Sequence, residues 1–156
     1  MRGLKFSRSG DEGPKAGARR EVQSERFADC FPRLFAYACA ATGDDEAARD
    51  VVVSAFSEAF SRTDAREDEF EINLFRTARA ICQSGEYRVR RHNDGLTPRE
   101  REVISLLFDA QLDRAQIGVL LGIRDEVVAT TLVRGLRKLR TSFASSGAGA
   151  AVPSFS

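Results

Sequence analysis

Apolar residues recur along this chain in steps of three and four, the spacing that puts them on one side of an α-helix. Phe27, Phe31, Leu34, Phe35 and Ala38 form the first stripe, which ends at Gly43, with Asp44 or Asp45 placed to cap a following helix. Ala47, Val51, Val52, Ala55, Phe56, Ala59 and Phe60 share a face of that second helix, which runs to Ser61. The charged stretch Arg62 to Glu71 holds five acids and two arginines. A third helix is expected from Ile72 to Gln83, with Phe75, Ala78 and Cys82 inward and Arg76 and Arg79 outward. Three helices so rich in Phe and Val can bury a modest core.

Residues 84–95, SGEYRVRRHNDG, lie between Gly85 and Gly95 and read as a linker. A well-marked helix start follows, with Thr97 as N-cap, Pro98 at the first position and Glu100 completing a capping box. Val103, Ile104, Leu106, Leu107 and Phe108 supply that helix's apolar face. Asp113 and Gln116 repeat the capping pair for a shorter helix ending near Leu121, and Gly122 makes a turn. A longer helix then runs from Asp125 to Arg140, with Val128, Leu132, Gly135 or Leu136, and Leu139 inward. No segment alternates in the manner of a strand. The expected fold is all-α, with two small helical domains at 25–83 and 96–141. Residues 1–24 and 142–156, rich in Gly, Ser and other small or basic residues, read as flexible tails.

Composition adds limits. Hydrophobic residues make up 42% of the 156 and charged residues 30%, which suits a soluble globular chain. No run approaches the roughly 18 apolar residues of a membrane span, so no membrane insertion is expected. The basic N-terminus lacks a following apolar segment, which argues against a secretory signal and makes the cytoplasm the expected compartment. Cys30, Cys39 and Cys82 fall in apolar helical patterns and read as small buried hydrophobes, and His92 reads as a solvated linker residue. No cluster of His, Cys or paired carboxylates suggests a catalytic or metal site, so neither an enzyme nor a cofactor is expected. Net charge is +1 but unevenly spread: residues 27–83 carry six basic against eleven acidic side chains, while residues 1–26 carry seven against four.

The segment Asp113 to Arg140 has the layout of a helix-turn-helix, in which a short helix braces a second one whose N-terminal half enters the DNA major groove. Residues 96–123, LTPREREVISLLFDAQLDRAQIGVLLGI, resemble region 4 of sigma-70-type factors and also the DNA-binding domain of LuxR-type regulators. The N-terminal half decides between them. Residues 26–56, RFADCFPRLFAYACAATGDDEAARDVVVSAF, resemble region 2 of extracytoplasmic-function sigma factors, and LFRTARAIC, residues 74–82, resembles that region's closing helix.

This resemblance implies a subunit that binds core RNA polymerase and promoter DNA, with an anti-sigma factor as a further possible partner. Asp50, Val52, Val53 and Phe56 match the polymerase-binding helix, although core packing alone also explains Val52 and Phe56. Arg76, Arg79, Arg88, Arg90 and Arg91 match the part that faces the promoter element nearer the start site. Arg124, Thr130, Thr131, Arg134, Arg137 and Lys138 match the helix reading the more distant element; the basic residues also read as a solvated helix end. The chain departs from the family pattern at Val53, usually Gln, and at Leu74, commonly Trp. Val127, Ala129, Thr131 and Val133 replace polar and basic residues of the recognition helix, and Asp125 and Glu126 add negative charge at its start. These departures leave a second reading open, a sigma-like regulator or decoy that binds an anti-sigma factor or polymerase and reads DNA weakly.

Overall fold

Each helix boundary has a local chemical cause. The computed structural model describes residues 14–62, 66, 69–85 and 94–147. Within them lie α1 (Pro14–Thr42), α2 (Asp45–Ser61), α3 (Phe70–Ser84), α4 (Pro98–Phe108), α5 (Arg114–Leu121) and α6 (Asp125–Gly147), and no strand. Helix α1 ends where Gly43 takes a left-handed φ of 70° and its N–H meets the Cys39 carbonyl at 2.8 Å. Asp44 then caps α2, its carboxylate accepting from the Ala47 N–H at 2.8 Å. Both expected capping boxes form. Thr97 Oγ1 accepts from the Glu100 N–H while Glu100 Oε2 accepts from the Thr97 N–H, and Asp113 and Gln116 do the same for α5. Caps of this kind contribute about 1 kcal/mol each.

Helices α1, α2 and α3 pack on one another, and α4, α5 and α6 form a second bundle. Leu34, Ala38, Val51, Val52, Ala55, Leu74, Phe75 and Ala78 are closed to solvent in the first bundle. Val103, Leu106, Leu112, Ile117 and Val128 fill the second. At the rim of the first runs a chain of rings, with Phe27 and Phe56 centroids 4.7 Å apart, Phe56 and Phe60 5.6 Å apart, and Phe60 and Phe70 5.6 Å apart. The bundles also touch each other, α1 lying against α4 and α3 against α5.

Several expectations need correction. Residues 14–24 are helical rather than a tail, because Ala, Arg, Glu and Gln favour helix and Pro14 suits a first turn. Helix α6 continues past Arg140 to Gly147, where the Ser145 and Ser146 hydroxyls bond carbonyls four residues back. Phe27 and Phe31 are half in solvent, since only one side of each meets other rings. Phe108 is 58% exposed, one residue's turn off the face that Val103 and Leu106 occupy. Most of the expected linker, residues 86–93, lies outside the described residues.

Leu74 of α3 has no exposed surface. Leu74→Ala should therefore lower unfolding free energy by about 2–5 kcal/mol in chemical denaturation.

Candidate nucleic-acid interface

The turn between α5 and α6 is built on two glycines. Gly122 closes α5 in a left-handed conformation at φ 66°, with its N–H on the Gly118 carbonyl. Gly118 itself lies so close to the turn that a Cβ there would come within 2.8 Å of the Ile123 carbonyl oxygen. The Ile123 N–H returns to the Gly118 carbonyl at 3.0 Å, so backbone meets backbone and no side chain can yield. Helix α6 then starts at Asp125, with the Val127 and Val128 N–H groups on the Arg124 carbonyl.

Helix α6 is fixed to α4 by Lys138, whose ammonium donates to Glu100 Oε2 at 2.8 Å. The same oxygen caps the Thr97 N–H, also at 2.8 Å, and the Glu100 side chain is only 4% exposed. The Lys138 ammonium and the Thr97 amide hold the Glu100 carboxyl below its ordinary value of 4.5. Lys138, expected to meet DNA, instead places its charge on a structural carboxylate. The spacing of 38 residues left no signal for this pair in the sequence.

The outer face of α6 presents Arg134, Arg137 and Arg140 to solvent, with Arg124 exposed at its start. Ala129, Thr130, Val133, Arg134, Arg137 and Lys138 line a shallow depression along this face. Val127 and Val133 are exposed within or beside it, while Ala129 is half-buried. The Thr130 and Thr131 hydroxyls donate to the Glu126 and Val127 carbonyls at 2.8 and 2.7 Å. With their protons directed to the backbone, they offer a base edge lone pairs and methyl groups, a chemistry suited to amino donors and the thymine methyl. Asp125 is partly offset by Arg114 of α5 at 3.5 Å.

On α2, Asp50 and Val53 are exposed, Val53 by 69%, and share the outer surface with Arg49 and Ser54. Val52 and Phe56, expected with them in a contact surface, are instead core residues, 1% and 4% exposed. Their places in the helical period turn them inward, so they can only support that surface. On α3, Arg76 is exposed and takes Asn73 Oδ1 as an acceptor at 2.6 Å. Arg79, expected to face outward, is half-buried and donates to Glu102 of α4 at 2.5 Å. Arg88, Arg90 and Arg91 lie outside the described residues. The cysteines are unpaired thiols; Cys30 is buried, Cys39 and Cys82 are half-buried, and burial pushes Cys82 up to about 11.

Two expected outcomes test this construction. Gly118→Ala should cost about 1–3 kcal/mol, read as a lower unfolding midpoint, because the opposing atom is backbone. Glu100, held below its ordinary value, stabilises the fold above that value, and this contribution is lost as pH falls through the depressed folded value. Glu100→Gln should accordingly lower the melting temperature at neutral pH and flatten its dependence on pH below about 4.5.

A C-terminal bundle of this geometry, with a braced helix presenting arginines and short polar side chains, is the arrangement of a DNA-reading helix-turn-helix. A search of curated proteins returns no match to the chain. Residues 94–141, which span α4, α5 and most of α6, match the family model for sigma-70, region 4.

Proposed function

We propose that this chain is a sigma factor of the extracytoplasmic-function type, directing promoter-specific initiation by joining core RNA polymerase to DNA. The observation that carries the reading is the region 4 match on a bundle whose braced helix α6 leaves Arg134, Arg137 and Arg140 outward. The three-helix bundle ahead of it supports the same reading through its sequence resemblance to region 2. In this reading residues 25–83 and 96–141 are the two working domains, with the polymerase-binding surface around Asp50 and Val53. Arg76 and Arg79, with Arg88, Arg90 and Arg91, meet one promoter element. Arg124, Thr130, Thr131, Arg134 and Arg137 meet the other. Such a factor works in the cytoplasm, and no helix among the described residues is long and apolar enough to cross a membrane.

One observation favours a second reading, a sigma-like regulator that binds polymerase or an anti-sigma factor and reads DNA weakly. Asp125 and Glu126 stand at the groove-facing start of α6, and the exposed Val127 and Val133 lie where a DNA reader gains from charge.

Run-off transcription with core enzyme on a library of genomic promoters separates the two. Specific transcripts, reduced about tenfold or more by Arg134→Ala/Arg137→Ala, support the first reading; polymerase binding without initiation supports the second. Asp50→Ala should weaken polymerase affinity by roughly tenfold, and unchanged affinity would remove Asp50 from that surface.

A further inference from the structure

The outward face of α6 carries unlike charges at its two ends. Glu126 stands on the first turn, and Arg137 and Arg140 stand on later turns, all three exposed. The helical period puts them on one face with Val133, the arginines roughly 17–21 Å along the axis from Glu126. Among the described residues, none of the three forms an ion pair within its own chain, whereas the neighbouring Asp125 faces Arg114. The surface between the two ends is short and largely apolar. Ala129, Thr130 and Val133 line the shallow depression there, and Val133 is 49% exposed. The Thr130 hydroxyl gives its proton to the Glu126 carbonyl at 2.8 Å and leaves its methyl group on that surface. A DNA backbone satisfies the two arginines but repels Glu126. A second α6 running the opposite way satisfies all three.

We propose that a second copy of this chain docks on this face, with the two α6 helices antiparallel about a two-fold axis at Val133. With Val133 opposite itself, position 126 of one copy comes level with position 140 of the other. Glu126 then faces both Arg140 and Arg137, and symmetry forms the same contact a second time. Ala129 comes level with Arg137 and Thr130 with Leu136, so short side chains meet long ones and the helices can approach closely. Arg134, turned about 100° from Val133, stays at the rim in water. A parallel pair would instead set Glu126 against Glu126 and the arginines against each other. One helix pair lies at the small end of specific interfaces, so the association is weak and depends on concentration. The dimer covers the face assigned above to DNA. That the two exclude each other rests on that reading; the dimer itself does not.

Sedimentation velocity on the full chain tests this. Wild type should pass from monomer toward dimer between about 1 μM and about 1 mM, the range of weak association. Glu126→Arg and, separately, Arg137→Glu/Arg140→Glu should each weaken self-association about tenfold or more, because like charges then face each other across the axis. An equimolar mixture of these two variants should recover the dimer, since every altered residue now meets its opposite in the other copy. Recovery on mixing also shows that both variants are folded. A wild type that stays monomeric throughout overturns the dimer. So does a dimer that both variants keep, or a mixture that fails to pair although circular dichroism finds both variants folded. A short DNA duplex with room for one copy, added to the wild-type dimer, should give complexes holding a single copy. Complexes that hold two copies overturn the exclusion. If no form binds DNA while the mixture still pairs, the dimer stands and the DNA reading falls, taking the exclusion with it.

Discussion

A single carboxylate organises the C-terminal bundle. Glu100 completes the capping box that starts α4, and the same oxygen receives the Lys138 ammonium of α6. A helix start and a helix-to-helix contact are thereby tied to one nearly buried group. An unpaired charge so placed would carry a heavy desolvation cost, so cap and ion pair support each other. The consequence for function is positional: Lys138 lies one turn from Arg134 on the same face, and with its charge bound to Glu100 the exposed Arg134 and Arg137 are left to carry that face's positive charge. Gly118 completes the device from the other end by letting the turn pass directly over α5.

Electrostatics divide the molecule unevenly. The first bundle is acidic, and its exposed Asp50 stands beside an apolar Val53 on a face that packs against no other part of the described chain. The second bundle gathers its exposed arginines along α6. Between them Glu71 and Glu102 occupy the seam, each facing an arginine of the first bundle. Charges that looked in sequence like two separate populations are therefore partly consumed by each other. Arg79, paired with Glu102, is the clearest case.

How much could be read in advance follows from the range of each interaction. The caps at Asp44, Thr97 and Asp113 and the stops at Gly43 and Gly122 depend on residues within one turn, and the linear pattern shows them. The all-α fold and the inward faces of α2 and α3 follow from the helical period for the same reason. Arg79 with Glu102 is separated by 23 residues and Arg33 with Ala110 by 77, and no local pattern reports such contacts. Periodicity also leaves the rim undefined, so Phe27, Phe31 and Phe108, inward by the helical period, stand partly or largely outside. The extension of α1 back to Pro14 was hidden by its lack of an apolar stripe, since helix propensity rather than burial explains it.

In the proposed reading α6 meets DNA through its outward arginines while Lys138 remains with Glu100. The most direct measurement is the salt dependence of duplex DNA affinity for the full chain. With Arg124, Arg134, Arg137 and Arg140 as the phosphate contacts, the logarithm of affinity should fall against the logarithm of salt with a slope of about −3.6. Removing Lys138 should leave that slope unchanged, and removing Arg137 should reduce it by about one. A slope near zero, or one that falls on loss of Lys138 and not of Arg137, would rule out α6 arginines as the DNA contacts.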